Sequence, residues 1–243
     1  MRDLQDKRYW LVGASDGLGA ALARRMSAAG AHVVVSARSE DSLKALVDDL
    51  PLEGSFQTVD VSDDASVAEA AQAVGDIDGV VFLAGVYWPF SAAEWDAEKA
   101  TAMADINFTG LMRVMGQVVP AMVARDSGHI VITGSLSGFR GLPGSIGYTA
   151  SKAGTMSLAE CMYADLRKTG VQVQVANPGF IKTRLTDKNS FRMPFLMTPE
   201  EAADYMFRHM QTQRFKLSYP RLFSWLFRGS QLLPDWLYFR IFS

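Results

Sequence analysis

Apolar residues run along the chain in two rhythms. Short, almost continuously apolar runs occupy residues 9–12, 32–37, 56–59, 80–84, 129–133 and 171–176, the pattern of strands buried on both faces of a parallel sheet. Between them lie Ala-rich stretches with helical spacing, at 18–29, 43–50, 67–74, 100–124 and 148–168. Alternating strand and helix over six repeats predicts an α/β chain with a doubly wound parallel sheet. Thr198-Pro199-Glu200-Glu201 has the form of a capping box with proline at the first helical position, which predicts a helix from Pro199 to about Met210. Residues 215–219 alternate and predict one last short strand. Residues 183–197 show no clear period, and a loop of that length in a compact domain is more often functional than idle.

Composition narrows the setting. The chain has 243 residues, a net charge of -2 and one cysteine, Cys161, enough for one α/β domain with a two-sided core and too little cysteine for a disulfide framework. No interdomain linker, internal repeat or low-complexity tract stands out. No apolar leader follows the charged start, and no run of about eighteen or more apolar residues occurs, so a reduced, cytoplasmic setting is expected, with no spanning helix. The near-neutral charge gives no broad basic footprint for nucleic acid. His32, His129 and His209 lack ligand spacing, so no catalytic metal is expected.

The first predicted strand runs into Gly13-Ala14-Ser15-Asp16-Gly17-Leu18-Gly19 and then a helix. Glycines there let the backbone approach a pyrophosphate, whose charge the free N–H groups and dipole of the helix favour. The spacing is G-x-x-x-G-x-G rather than G-x-G-x-x-G, and an ordinary glycine-rich turn is the alternative. Arg38 ends the second strand, where an acid would bind a ribose 2'-hydroxyl and an arginine pairs with a 2'-phosphate. It favours NADP(H), with NAD the alternative. A solvated arginine would look the same, and Asp16 in the turn opposes a phosphate. Asp60 follows the third strand as a candidate adenine contact, although Ser62 or Asp63 there serves equally as a helix N-cap.

Tyr148 and Lys152, spaced i, i+4, share a face if their segment is helical. A phenol is a poor base near neutrality, and an adjacent ammonium stabilises the phenolate. Lowering its pKa by roughly three units corresponds to about 4 kcal/mol of differential interaction. Such a tyrosine donates a proton to a carbonyl oxygen or removes one from an alcohol. Ser135 lies just beyond the strand at 129–133, placed to bond a substrate carbonyl. Ser137 competes with it, and both serines would also satisfy local backbone. Tyr163, with Arg167 at the same spacing, reads as packing.

The ordered set Gly13-x-x-x-Gly17-x-Gly19, Asp60, Ala84-Gly85, Asn107, Ser135, Tyr148-x-x-x-Lys152 and Asn177-Pro178-Gly179-x-Ile181-x-Thr183 resembles the classical short-chain dehydrogenase/reductase family over roughly residues 8–184. The resemblance implies a Rossmann-type sheet of order 3-2-1-4-5-6-7 in a single domain. It makes Tyr148 the acid/base, with Lys152 lowering the tyrosine pKa and holding the nicotinamide ribose. Ser135 would orient the substrate oxygen, a choice over Ser137 that rests on the family's spacing, and Asn107 would hold a water for proton relay. The cofactor would be met by Gly13, Ser15, Gly17, Leu18, Gly19, Arg38, Asp60, Val61, Ala84 and Gly85. At the nicotinamide end it would meet Tyr148, Lys152, Pro178, Gly179, Ile181 and Thr183. A homodimer or homotetramer through the helices at 100–124 and 148–168 is implied as well. Val12, and Phe82 with Leu83, depart from the family's usual threonine and paired asparagines. Those positions tie strands together, and the departures touch the sheet more than the chemistry.

Residues 184–214 are then the substrate loop and helix, and 215–243 an aromatic, basic C-terminal extension. Nine of the 26 aromatic residues fall between Phe215 and Phe242, with Arg221, Arg228 and Arg240 interspersed and Asp235 the one acid. Three readings fit this tail: packing within the domain or against a second subunit, peripheral contact with a membrane through 219–242, or a lid over an apolar pocket. Phe191, Met193, Phe195, Leu196 and Met197 suit a lipophilic substrate or a loop anchored in the core. The leading expectation is an NADP(H)-dependent oxidoreductase interconverting an apolar ketone or aldehyde and its alcohol. A non-catalytic dinucleotide sensor or membrane-associated scaffold on the same fold is the alternative.

Overall fold

A computed structural model describes residues 2–189 and 191–242. Seven strands form one parallel sheet: β1 (Arg8–Val12), β2 (His32–Ala37), β3 (Ser55–Thr58), β4 (Gly79–Phe82), β5 (Gly128–Thr133), β6 (Val171–Pro178) and β7 (Lys216–Tyr219). Their order is β3-β2-β1-β4-β5-β6-β7, as the resemblance implied. The order reverses between β1 and β4, which opens a crevice at the carboxyl ends of these strands, the place where open α/β sheets bind ligands.

The helices are α1 (Gly17–Ser27), α2 (Glu40–Asp48), α3 (Asp64–Val74), α4 (Ala97–Ala104), α5 (Gly110–Ala124), α6 (Ile146–Leu166), α7 (Pro199–Met210), α8 (Arg221–Ser230) and α9 (Asp235–Phe242). Successive strand residues feed opposite sides of the sheet. Tyr9, Leu11, Val35 and Val131 join α1 and α7 in one apolar cluster. Trp10, Val12, Phe82 and Ile132 join α3 and α5 in the other. Val12 and Phe82, register partners across β1 and β4, are fully buried, so apolar packing fills the positions where the sequence departs from the family's polar residues.

Caps start several helices where the sequence places them. Thr198 accepts from the Glu201 N–H and the Glu201 carboxylate accepts from the Thr198 N–H, which completes the expected box. Asp63 caps α3 through the Ser66 N–H. Two expectations are corrected. The strand expected at 80–84 ends at Phe82, and Leu83 onward leaves the sheet. The single helix expected at 100–124 is two helices with a five-residue π-helical segment, Asp105–Thr109, between them. Asn107 lies within this segment, its carboxamide accepting from the Val86 N–H at 2.7 Å and donating to the Val86 carbonyl at 3.0 Å. Such π segments recur at functional sites.

The tail packs back on the domain. Phe223, Ser224, Ser230 and Tyr238 are buried, and the Tyr238 hydroxyl donates to the Gly141 carbonyl at 2.7 Å. Tyr163 stacks on Phe215, with ring centroids 4.3 Å apart, the packing role expected of it.

Candidate active site

A cleft of about 610 Å³ follows the carboxyl ends of β1 to β6. The glycine turn forms its floor. Gly13 takes φ 91°, and a Cβ there would meet the Ala84 backbone nitrogen at 2.3 Å, so the turn and the Ala84-Gly85 stretch can touch only without a side chain. The N-terminus of α1 has no side-chain cap from Asp16, which leaves its first N–H groups for an anion. Gly13, Ser15, Gly17, Leu18 and Gly19 all line this cleft, with Arg38, Asp60 and Val61 at one end. Ala84 and Gly85 follow, and Tyr148, Lys152, Pro178, Gly179, Ile181 and Thr183 close the other end. Uncapped helix N–H groups, an arginine at the end of β2 and a lysine deep in the cleft form a donor set suited to a dinucleotide, so the residues present fit that group.

Asp60 Oδ1 accepts from the Ser62 N–H at 2.9 Å and hydroxyl at 2.6 Å. Burial pushes its carboxyl up, but those two bonds, with Arg38 and Arg113 nearby, hold it below the usual value. Asp16, the acid that opposes a phosphate, is ion-paired with Arg184. Arg184 and Lys188 also line the cleft, and Lys188 donates to the Tyr87 carbonyl at 2.8 Å. The 183–189 stretch thereby spans the cleft from the glycine turn to the loop after β4. The aperiodic character of 183–197 marked the segment as functional, but no spacing in it points to Arg184 or Lys188.

A second cavity of about 510 Å³ is walled mainly by apolar side chains, among them Leu142, Phe180, Phe191, Phe223, Leu226 and Phe227. The two spaces share Ser135, Tyr148, Pro178, Gly179, Leu185 and Thr186. Ser135 ends the link from β5 and caps a short 3-10 turn, its Oγ accepting from the Ser137 N–H at 3.1 Å. Ser137 reaches the second cavity alone, so of the two serines only Ser135 stands where the cavities meet.

Tyr148 is half-buried on the first turn of α6, edge-on to Tyr87 with ring centroids 5.1 Å apart. Against the expectation that Lys152 lowers the tyrosine pKa, burial raises the phenol above its usual value, and a hydrogen bond with Ser135 draws it back only in part. Lys152, one turn on, is buried and donates to the Thr133 carbonyl at 2.9 Å. Its nitrogen lies 5.9 Å from the Tyr148 ring centroid, and burial lowers its pKa to about 8. Asn107 is fully buried behind Gly85, where a Cβ would sit 3.4 Å from its Oδ1 and 3.8 Å from Lys152 Nζ. Besides Val86, its amide donates to Ser151 Oγ at 3.0 Å, and its backbone carbonyl accepts from Thr155 at 3.2 Å. Among the described residues no group of three or more His, Cys, Asp or Glu side chains is placed to hold a metal ion.

The short chain dehydrogenase family model matches residues 7–193. An uncharacterized oxidoreductase of Myxococcus xanthus is 35% identical over 246 residues, covering 98% of this chain and 97% of its own. Among solved structures, a short chain dehydrogenase/reductase family protein superposes with TM-score 0.82 at 28% identity, over 89% of this chain and 97% of that one. An actinorhodin polyketide ketoreductase solved with NADPH superposes with TM-score 0.78 at 26% identity, over 90% and 97%. With this order of strands, this cleft and these relatives, the chain belongs to the short-chain dehydrogenase/reductase family of oxidoreductases.

Proposed function

We propose that the protein is an NADP(H)-dependent carbonyl reductase that interconverts an apolar ketone or aldehyde and its alcohol, with Tyr148 as acid/base. The observation that carries this reading is the meeting of a polar cleft and an apolar cavity at Ser135 and Tyr148. A substrate carbonyl seated there has a hydroxyl on one side, a phenol on the other and the cleft alongside. The ketoreductase likeness supports the substrate class.

When bound, the dinucleotide supplies hydride to the carbonyl carbon or accepts it from the alcohol. Tyr148 gives the proton to the carbonyl oxygen in reduction and takes it back in oxidation. A phenol held above its usual pKa is protonated at neutrality, which suits the donor role. Ser135 positions the oxygen through a second hydrogen bond. The Lys152 ammonium, held by Thr133, would bond the nicotinamide ribose and favour the phenolate as it forms. Asn107 acts as a positioning residue: its carboxamide is committed to Val86 and Ser151, and a water would be held through its backbone carbonyl. Arg38 would pair with the 2'-phosphate, while Arg184 neutralises Asp16 and removes its repulsion. The family resemblance extends the reading to a homo-oligomer through α5 and α6.

The test is turnover of NADPH with medium-chain, aromatic and steroid ketones. Reduction of apolar ketones, faster than of small polar ones, is expected. NADPH binding without turnover across that panel overturns the reading in favour of a non-catalytic binder.

A further inference from the structure

The tail also carries large apolar side chains on its solvent side. On α8, Leu222, Trp225 and Leu226 are 72%, 68% and 54% exposed at spacing i, i+3, i+4, one continuous stripe. Phe223 and Phe227, on the other side of the helix, line the apolar cavity. Leu232, Trp236 and Ile241 carry the exposed surface through the turn and onto α9, at 88%, 70% and 58%. An exposed apolar stripe of this extent on an amphipathic helix marks a surface that another phase or molecule covers. Among the described residues no helix is long and apolar enough to cross a membrane, and α8 and α9, of ten and eight residues, would lie in an interface rather than span it.

We propose that α8 and α9 dock the protein on an anionic lipid bilayer, so that the apolar cavity draws its ketone from the membrane. Charge selects this occupant over a second copy of the chain. Arg221, Arg228 and Arg240 are exposed among the apolar residues, and the tail's single acid, Asp235, is held by Arg140 at 2.6 Å. Self-association about a two-fold axis brings the same patch against itself, pressing arginines together with no second carboxylate from the segment to answer them. Anionic headgroups pair with all three, and exposed tryptophans beside arginines suit the headgroup boundary. The wall between bilayer and cavity is one helix thick, because Leu226 lines the cavity and is also exposed.

The supply of substrate rests on the reductase reading; the docking does not. The experiment is flotation of the full chain with vesicles of phosphatidylcholine alone or mixed with phosphatidylglycerol. Flotation with the mixed vesicles and its weakening by salt are expected. R221Q/R228Q/R240Q should weaken it on the order of a hundredfold, at about 1 kcal/mol per charge. Trp225→Asp should abolish it. Unchanged NADPH affinity and thermal melting show that these exposed substitutions leave the fold intact. With a long-chain ketone dissolved in the mixed vesicles, the triple variant should lose kcat/KM while keeping its rate on a water-soluble ketone. Equal loss on both overturns the supply route. A protein that stays behind with anionic vesicles, or that forms a dimer dissolved by Trp225→Asp without floating, overturns the docking. A protein that floats yet reduces no ketone refutes the reductase reading and leaves the docking in place.

Discussion

Lys152 Nζ donates to the carbonyl oxygen of Thr133, the last residue of β5, at 2.9 Å. Burial disfavours the ammonium and lowers its pKa to about 8, where an ordinary lysine stays charged to beyond pH 10. The charged form is present below that pKa and lost as pH rises through it. Reductase kcat/KM is therefore expected to fall on the alkaline side from about pH 8. Lys152→Arg, which keeps its charge, should flatten that limb. A wild-type profile level to pH 10 contradicts the role given to the ammonium.

In the proposed function Arg38 and Arg184 would act on opposite problems of phosphate binding. Charge-assisted hydrogen bonds contribute about 1.5 to 3 kcal/mol, so Arg38→Ser is expected to lower NADPH affinity by about ten- to a hundredfold and leave NADH within a few fold. Arg184→Ala leaves Asp16 unpaired beside the glycine turn and should weaken both cofactors. Titration of each variant with each cofactor, followed by protein fluorescence, separates the two effects.

How far the residues alone reveal this arrangement depends on distance along the chain. The strands and the glycine turn are legible because their signals are local: β-branched runs, and glycines where backbone must approach backbone, as at Gly13 and Ala84. The order and spacing of the matched motifs brought every expected cofactor contact into one cleft. The pairing of Asn107, inside a π segment, with Val86, twenty-one residues away, is a tertiary feature with no local signature. The ion pair of Asp16 with Arg184 was hidden for the same reason. The tail's place in the cavity wall is legible only in space, since Phe223 and Leu226 line one cavity with Leu142 and Phe191 from distant segments.

His129 and His209 predict acid sensitivity. His129 is fully buried between the Tyr9 hydroxyl, 2.8 Å from its Nδ1, and Gln174 Oε1, 2.8 Å from its Nε2. The Gln174 amide nitrogen is donated to backbone carbonyls of His209, Thr212 and Arg214, so Oε1 accepts and His129 carries its proton on Nε2. Burial lowers the pKa of His129 to about 3 and that of His209 to about 4. Both are depressed, so the unfolded chain binds more protons between those values and about 6.5, and stability falls as pH drops through that window. Each histidine should cost about 1.4 kcal/mol per pH unit there. Urea unfolding at pH 7 and pH 5 measures the slope, which His209→Gln should reduce.

Arg140 ties the loop after Ser135 to the tail. Its guanidinium donates to the Ser230 carbonyl at 2.5 Å, the Leu233 carbonyl at 2.8 Å and the Asp235 carboxylate at 2.6 Å, and lies 3.9 Å from the Tyr238 ring centroid. Lysine cannot reproduce that fork and stack. Arg140→Lys is expected to speed proteolysis after β7 and to raise KM for an apolar ketone several-fold with NADPH affinity unchanged. Unaltered proteolysis and KM would show that the clamp is dispensable.

The most direct measurement is the single-turnover rate of Tyr148→Phe on the best ketone, with NADPH binding measured in parallel. General acid catalysis contributes about 10²- to 10⁴-fold. The expected result is a loss of that size in the chemical step with NADPH affinity preserved. A variant that reduces the ketone within about tenfold of the wild-type rate, against the size expected for such a group, contradicts Tyr148 as the proton donor.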